Sequence, residues 1–349
     1  MADKIRIGVL GLTHDHIWDH GHLEAVQAAD GAELVAAADP NQPLLAQMKE
    51  RYGSDIKTYE SYEAMLDSAA LDAVYIFGDN ASAAGLTEMA AGRGLHVMAE
   101  KPMAATLDQA ERMIRAAANA GTVLMIHWPF AWGEAFRHAI QMAHDGAIGD
   151  IFQVRYRSAH AGPKEFGCTP YFYNWLYDRE KNGAGALIDY CCYGAALARI
   201  VLGQPSRVTA MAGRLQKDYV EVDDNAIILM GYHHAIAITE ASWTQVGNPF
   251  TYTPMIYGSE GMLIVRRGEN KVVLATEANP DGEVIDPPAN PPEFVSGTAH
   301  FLHCIRSGAP VAGVCNAGVS RDAQEILQAG LISAREGREV TLPLKTSFG

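Results

Sequence analysis

Leu95-His96-Val97-Met98-Ala99-Glu100-Lys101-Pro102 is an apolar run that ends in two charged residues and a proline. Proline cannot donate to a strand ladder, so the strand ends here. If the run is a buried strand of a parallel sheet, Lys101 lies at its carboxyl end, where such sheets bind ligands. There its ammonium can hydrogen-bond a substrate hydroxyl and exchange a proton with it. For an isolated Lys-Pro pair the ordinary interpretation is an exposed loop lysine, because charged side chains normally face solvent.

The surrounding sequence favours the buried strand, because short apolar runs alternate with helical patterns through the first third of the chain. The predicted strands cover residues 5–10, 34–38, 56–58, 73–77, 95–99 and 123–126. The predicted helices between them cover residues 23–29, 44–52, 62–68, 86–92 and 107–120. Strands of this length separated by helices predict a doubly wound parallel sheet.

The turn after the first strand is poor in glycine and rich in histidine. It begins at Gly11, but Thr13 and His16 stand where G-x-G-x-x-G would place its later glycines. Thr13 can still offer a hydroxyl and an amide to a phosphate. His16 and His20 are four residues apart and would share a helix face, as metal ligands can. No characteristic metal motif is completed, so we expect no metal site.

Asp39 ends the second predicted strand and precedes Pro40. An acidic residue here can bind both ribose hydroxyls of NAD and repel the additional phosphate of NADP. A turn-forming aspartate before proline is the alternative interpretation. Asp39 therefore favours NAD over NADP without deciding the matter.

The pattern changes after residue 128. Strand-like runs at 207–212, 226–232, 235–243, 253–257 and 262–265 follow one another with little helix between them. They predict an open, mainly antiparallel sheet, accompanied by helices at 184–202, 294–306 and 319–335. Residues 279–292 hold five prolines and are expected to form a surface loop. The predicted architecture is an α/β Rossmann domain over residues 1–128 and an α+β substrate-binding and oligomerisation domain over residues 129–349.

Composition narrows the classes of partner. The 349 residues are 48% hydrophobic and 19% charged, and their formal net charge of −14 argues against binding nucleic acid through phosphates. Apolar runs are too short to span a membrane, and the first residues lack the layout of a signal peptide. Five cysteines without a C-x-x-C pair indicate neither a disulfide framework nor a zinc site. We therefore expect a cytoplasmic protein.

Several fragments in this order resemble the Gfo/Idh/MocA family of NAD(P)-dependent oxidoreductases over almost the full chain. Besides Glu100-Lys101-Pro102, they are Gly183-Ala184-Gly185-Ala186-Leu187-Ile188-Asp189, Asp223-Asp224, Ala241-Ser242-Trp243, Tyr257-Gly258-Ser259-Glu260-Gly261 and Phe301-Leu302-His303-Cys304-Ile305. The resemblance implies that Lys101 is catalytic and that Pro102 follows a cis peptide bond. It also implies cofactor contacts from Gly11, Thr13, His14, Asp39, Asn80, Glu100 and Lys101.

The chain departs from the family pattern in three places. The family motif D-x-x-x-H reads Asp189-Tyr190-Cys191-Cys192-Tyr193 here, so Tyr193 replaces the histidine while sharing a helix face with Asp189. A tyrosine with a pKa near 10 needs a nearby cation such as Lys101 to act as a base at neutral pH. Aromatic packing is the alternative role for Tyr193. Asn80 lacks the histidine that often follows it in relatives, and the glycine turn is lengthened before His22-Leu23.

Substrate contacts are expected from the second domain. His160 ends its first strand and is our leading polar contact, with a structural role left open. Trp175 lies in a loop crowded with Tyr171, Tyr173 and Tyr177, which suits the CH faces of a polyhydroxylated ring. A collapsed aromatic loop is the alternative. Together with Lys101, Asp189 and Tyr193, His160 and Trp175 form the predicted substrate site.

The resulting hypothesis is an NAD-dependent oxidoreductase. A hydroxyl of a sugar, cyclitol or related polyol bonds Lys101 and Tyr193, and proton removal accompanies hydride transfer, while Asp189 positions these groups. One alternative is a glycosidase or other redox-assisted elimination that recycles NAD in place. Another is a non-catalytic ligand-binding protein on the same fold. The open second sheet needs a partner on its exposed face, so we expect a homodimer or homotetramer.

Overall fold

The computed structural model describes residues 4–247 and 251–346. Within these residues, the first sheet contains β1 (Ile5–Leu10), β2 (Ala32–Ala38), β3 (Lys57–Tyr59), β4 (Ala73–Ile76), β5 (His96–Glu100) and β6 (Leu124–His127). Its helices are α1 (His16–Asp19), α2 (His22–Ala28), α3 (Gln42–Tyr52), α4 (Tyr62–Ser68), α5 (Ser82–Ala91) and α6 (Leu107–Ala120). The predicted alternation of strands and helices is confirmed.

All pairings in the first sheet are parallel, in the order β3-β2-β1-β4-β5-β6. The order reverses between β1 and β4, which is the position where open α/β sheets bind ligands. Strand β4 is buried at every residue, as expected for a strand covered on both faces. The carboxyl ends of β1, β4 and β5 therefore face one crevice.

The second part of the chain is a mixed sheet covered by helices on one face. Its strands are β7 (Ile151–Ala159), β8 (Arg207–Gly213), β9 (Asn225–Gly231), β10 (Ile236–Ser242), β11 (Met255–Gly258), β12 (Gly261–Arg266), β13 (Lys271–Thr276), β14 (Asn279–Ile285) and β15 (Val340–Thr341). Its helices are α7 (Glu134–His144), α8 (Pro163–Phe166), α9 (Pro170–Leu176), α10 (Arg179–Asn182), α11 (Ala186–Leu202), α12 (Gly297–Ser307) and α13 (Ala317–Glu336).

The strand order is β14-β13-β12-β11-β7-β10-β9-β8-β15, and β7 and β10 form a parallel pair in an otherwise antiparallel sheet. The prediction of an open, mainly antiparallel sheet is confirmed. The prediction of a surface loop over residues 279–292 is wrong in its first half, because Asn279–Ile285 forms the edge strand β14. Pro280 is tolerated there because an edge strand leaves one row of N–H groups unpaired.

The two parts of the chain are joined by more than the connection after β6. The Tyr75 hydroxyl in β4 donates to Thr298 Oγ1 in α12, at a distance of 2.9 Å. Arg321 in α13 reaches Glu111 in α6. These contacts bring the last helices back onto the first sheet. The boundary after residue 128 stays a prediction.

Helix α11 is the core of the second part and is buried along most of its length. The segment Arg179–Leu202 is apolar and long enough to cross a membrane by composition alone, but 72% of its most apolar window is buried inside the fold. Packing against the sheet accounts for that apolarity. Gly194 allows α11 to approach β10, since a Cβ at this position would lie 2.3 Å from Thr239 Oγ1.

We expect Gly194→Ala to lower the free energy of unfolding by about 1–3 kcal/mol, because the added methyl forces α11 away from β10. Gly85→Ala in α5 is the matched control, since no atom lies within 4 Å of the added Cβ. It should be neutral or stabilising by up to about 1 kcal/mol, because alanine favours the helix. Urea denaturation measures both variants, and equal effects would contradict the packing interpretation.

Candidate active site

Lys101 lies in the crevice between the two sheets. Its side chain is 2% exposed, and the peptide bond before Pro102 is cis, as the family resemblance implied. Lys101 Nζ donates to Asp189 Oδ1 at 3.1 Å and approaches the Asp189 carbonyl oxygen at 3.4 Å. The structure thus brings together the predicted lysine from β5 and the predicted aspartate from the first turn of α11. The exposed-loop interpretation of Lys101 does not hold.

The protonation state of Lys101 follows from its partners. Burial alone would lower the pKa of the ammonium, but the Asp189 carboxylate outweighs burial and holds that pKa well above its ordinary value. Trp243 Nε1 donates to Asp189 Oδ2 at 3.3 Å, which fixes the second carboxylate oxygen. Lys101 is therefore a charged ammonium and a hydrogen-bond donor at neutral pH. The sequence offered no signal for the contact with Trp243.

Tyr193 contacts Lys101 through its ring. Lys101 Nζ lies 4.7 Å from the centroid of that ring, in cation–π geometry. The ring also packs against Trp128, Phe130 and Tyr156. Burial raises the pKa of the Tyr193 phenol, so the hydroxyl keeps its proton at neutral pH. Aromatic packing, one of the two roles left open, is present, and the proton-handling role stays a prediction.

His160 and Trp175 line the crevice from the second part of the chain. The Gly162 N–H donates to His160 Nδ1 at 2.8 Å, so in the neutral ring Nε2 carries the proton and is a donor. Burial lowers the pKa of His160 to about 4, which keeps the ring neutral. Trp175 packs edge-on against Phe172, and its indole N–H is buried without a hydrogen-bond partner among the described residues. His160 and Trp175 thus each carry an N–H that is free to donate.

The glycine turn is held by Asp39. Gly11 adopts φ +84°, and a Cβ there would lie 2.7 Å from the Gly78 amide nitrogen, so only glycine allows this approach of β1 to the segment after β4. Asp39 Oδ2 accepts from the Leu12 N–H at 2.7 Å, and Oδ1 accepts from the Asn41 N–H. Its carboxylate follows the end of β2 and is fully buried, and its contact with a ribose stays a prediction. Thr13 is half-buried in the same turn.

Asn80 faces the second part of the chain. Its side-chain amide donates to Asn182 Oδ1 at 2.8 Å and approaches the Asn182 carbonyl oxygen at 3.3 Å. The predicted contact of Asn80 with the cofactor stays a prediction, because this bond links the end of β4 to α10. At Gly11 the end of β1 meets the segment after β4 through backbone atoms alone. No side chain of Gly11 therefore occupies the ligand edge, and the residues at the ends of β1 and β2 fit a dinucleotide.

Glu100 points away from Lys101 into a cluster of imidazoles, which sequence reasoning missed. Its Oε1 lies 2.9 Å from His16 Nδ1, and its Oε2 lies 2.9 Å from His127 Nδ1 and 3.8 Å from His22 Nε2. Burial alone would raise the pKa of Glu100, but His127 and His16 outweigh it and hold that pKa well below its usual range. Register could have revealed part of this cluster, since Glu100 and His127 are partners across β5 and β6.

Two sets of three side chains in this cluster have metal-ligand spacing, namely His14, His16 and Glu100, and His22, Glu100 and His127. In two of these imidazoles, however, a hydrogen bond to one ring nitrogen shows which nitrogen carries the proton. Trp132 Nε1 donates to His127 Nε2 at 3.0 Å, so in the neutral ring Nδ1 keeps the proton and donates it to Glu100. The His16 N–H likewise occupies His14 Nδ1, which leaves the proton of His14 on Nε2. His16 and His127 thus share hydrogen bonds with the Glu100 carboxylate, whereas His22 Nε2 is buried without a hydrogen-bond partner among the described residues. The His20 ring packs against the His16 ring, with 3.8 Å between their centroids, and its Nδ1 pairs with Asp19.

We expect Asp189→Asn to lower the free energy of unfolding by about 3–5 kcal/mol, because it leaves the Lys101 charge buried without its partner. The double variant Lys101→Met/Asp189→Leu should recover most of that loss, since neither charge remains. Glu24→Gln, which breaks the exposed pair with Arg51, is the control and should cost less than about 1 kcal/mol. Urea denaturation measures all three, and equal losses in Asp189→Asn and Glu24→Gln would contradict a buried pair.

Comparison with known proteins gives matches over both parts of the chain. Residues 5–127 match the family model described as "Oxidoreductase family, NAD-binding Rossmann fold", and residues 136–264 match the GFO/IDH/MocA C-terminal domain. A dTDP-3,4-didehydro-2,6-dideoxy-alpha-D-glucose 3-reductase of Streptomyces violaceoruber is 30% identical over 339 residues, which cover 95% of this chain and 94% of that protein. A D-apiose dehydrogenase of Paraburkholderia graminis is 27% identical, covering 93% and 87%.

The solved structures agree on the fold. A levoglucosan dehydrogenase in complex with NADH and levoglucosan superposes with a TM-score of 0.83 at 21% identity, covering 98% of this chain and all of the other. The family models and the reductase of Streptomyces violaceoruber together show the relationship. This chain belongs to the Gfo/Idh/MocA family of oxidoreductases and carries its NAD-binding Rossmann domain.

Proposed function

We propose that this protein is an NAD-dependent dehydrogenase that interconverts a hydroxyl and a carbonyl on a sugar, cyclitol or related polyol. The buried Lys101–Asp189 pair at the ligand edge of the parallel sheet carries this proposal. The named relatives, an apiose dehydrogenase and a deoxysugar reductase, support a small polyhydroxylated substrate. Asp39 at the end of β2 favours NAD over NADP, because its carboxylate would repel the additional phosphate.

The hydrogen-bond donors of Lys101 and Tyr193 determine what the protein itself can contribute to the reaction. Lys101 and Tyr193 both carry protons at neutral pH, and both can donate to an oxygen that becomes negative during the reaction. Lys101 is the charged group of the two, since Asp189 stabilises its ammonium form, and its positive charge can stabilise that oxygen. The nicotinamide of NAD accepts or supplies the hydride when bound.

Other crevice residues hold the ligands in place. His160 offers its Nε2 proton to a further hydroxyl, and the Trp175 face offers a stacking surface for the CH side of a ring. The proposed cofactor contacts are Gly11, Thr13, His14, Asp39 and Asn80, with Glu100 at the end of β5.

The location in the cytoplasm stays a prediction, and the five unpaired cysteines are in keeping with it.

We propose a homodimer or homotetramer that uses the uncovered face of the second sheet. Apolar side chains on β8, β9 and β10 stand exposed there, with Met211 at 80% and Leu229 at 47%. Ile227 and Ile236 belong to the same face, and alternate residues of β8 such as Val208 and Ala210 are buried against the helices. An apolar surface of this kind marks an interaction site.

Removal of the Lys101 charge should slow turnover. We expect Lys101→Met/Asp189→Leu to lose about 10²–10³ in kcat with NAD and a panel of sugars and cyclitols, because the Lys101 ammonium no longer stabilises the substrate oxygen that becomes negative during hydride transfer. Lys181→Met, an exposed lysine on α10, is the control and should keep parental activity. Substrate consumption without net NADH formation would contradict the dehydrogenase and favour the redox-assisted elimination.

The pH profile tests the Lys101–Asp189 coupling separately. In the direction of carbonyl reduction a protonated Lys101 is required, so the rate falls only as pH rises through the Lys101 pKa. That pKa is raised in the parent, so we expect no alkaline fall of kcat between about pH 6 and pH 9. Asp189→Asn removes the largest influence that opposes burial and so lowers the pKa, which moves the fall into this range. Superimposable profiles of parent and variant would contradict the coupling.

The oligomer prediction is checked by multi-angle light scattering after size-exclusion chromatography. We expect Leu229→Glu to convert the parental oligomer to a smaller species, because it buries a charge in the interface. Val295→Glu, at an exposed position away from this sheet face, should leave the mass unchanged. A monomeric parent at micromolar concentration would overturn the prediction.

A further inference from the structure

The lengthened turn that carries the histidines reaches across the crevice to the second part of the chain. We call residues 13–20 the histidine turn and residues 163–176 the aromatic segment. Asp15 of the histidine turn accepts two hydrogen bonds from Thr169 of the aromatic segment. The Thr169 N–H donates to Oδ2 at 2.7 Å, and its hydroxyl donates to Oδ1 at 2.6 Å. Both carboxylate oxygens are therefore engaged by one residue of the opposite wall.

Ring packing continues the same contact. The His14 ring lies 4.5 Å from the Phe172 ring and 5.6 Å from the Trp175 ring, measured between centroids. His16 also approaches Phe172, at 6.1 Å. His14 is buried, so this contact leaves no opening at that point. Main-chain, side-chain and aromatic contacts thus join the two walls over one short stretch.

The groups proposed to handle substrate lie closed off in this arrangement. Lys101, Asp189, His160 and Trp175 are all buried, and none is more than 5% exposed. A polyol cannot contact these groups while their surfaces are covered. Ligand entry therefore requires some covering segment to move.

The histidine turn and the aromatic segment are suited to that movement, because the helices that they contain are short. Helix α1 has four residues and α9 has seven, and neither has a side-chain hydrogen bond at its N-cap. Gly21 after the histidine turn and Gly167 before Thr169 both adopt left-handed φ values, of +71° and +98°. Isolated turns of helix are marginal without tertiary contacts. The contacts across the crevice thus contribute to the order of both segments, beside the hydrogen bond between His16 and Glu100.

We propose that Asp15 and Thr169 form a clasp that closes the crevice over its ligands and opens to admit and release them. The clasp couples the histidine turn of the first domain to the aromatic segment of the second. When it opens, the two segments lose their order together, and Lys101, Asp189 and His160 become accessible. The proposal stands on these contacts alone and does not depend on which substrate is turned over.

Hydrogen–deuterium exchange of the full chain without ligand tests the clasp. In Asp15→Ala we expect exchange to rise about tenfold in peptides covering both residues 13–20 and residues 163–176, because hydrogen bonds to a charged group are lost. Strand β5 should be unchanged. Asp19→Ala is the matched control, since this carboxylate contacts His20 within the same turn and should leave the aromatic segment as in the parent.

Two variants at the other partner complete the experiment. Thr169→Val removes the hydroxyl and should raise exchange in both segments, while Thr169→Ser keeps both donors and should match the parent. Parental exchange in Asp15→Ala and Thr169→Val, or a rise confined to the mutated segment, would overturn the clasp. A parent that turns over no polyol would contradict the proposed function and leave the exchange results valid. In a parent that binds nucleotide, NADH fluorescence should also show faster release from Asp15→Ala.

Discussion

The buried ion pair of Lys101 and Asp189 is the constraint on which the crevice depends. Burying a charge away from water is costly, and the cost is offset when an opposite charge is buried beside it. Lys101 comes from the end of β5 and Asp189 from the first turn of α11, so the pair is complete only when the two sheets face each other. The Trp243 indole, reaching Asp189 from the end of β10, secures the remaining oxygen. A pair with this geometry aligns the walls and presents a hydrogen-bond donor between them.

The residue before Lys101 serves the other wall of the crevice. Successive side chains at the end of a strand point in opposite directions, so Glu100 turns into the imidazole cluster while Lys101 turns to Asp189. Glu100 accepts from His16 and His127 and thereby ties the histidine turn and β6 to the end of β5. One dipeptide thus organises both sides of the ligand edge. The lengthened turn, which breaks the glycine pattern of dinucleotide folds, is ordered by this carboxylate and by Thr169.

Sequence periodicity predicted the parallel sheet, the mainly antiparallel sheet and the three long helices of the second part, since each has a strong local pattern. The family resemblance, and not periodicity, predicted that Lys101 and Asp189 share one site. Periodicity missed contacts between residues far apart in sequence, such as Asp15 with Thr169 and Trp243 with Asp189, because no local pattern encodes them. Strand β14 was missed for a different reason, because Pro280 and the prolines after it outweighed a pairing that only the neighbouring β13 supplies.

The transfer of hydrogen from carbon to the nicotinamide is the most direct test of the proposed chemistry. The protein is incubated with NAD and sugars or cyclitols deuterated at carbon, and the NADH formed is weighed by mass spectrometry. We expect one deuterium per NADH in the parent and about 10²–10³-fold slower formation of labelled NADH in Lys101→Met/Asp189→Leu. Product formation with unlabelled nucleotide, or equally fast formation of labelled NADH in the double variant, would contradict a dehydrogenase centred on Lys101.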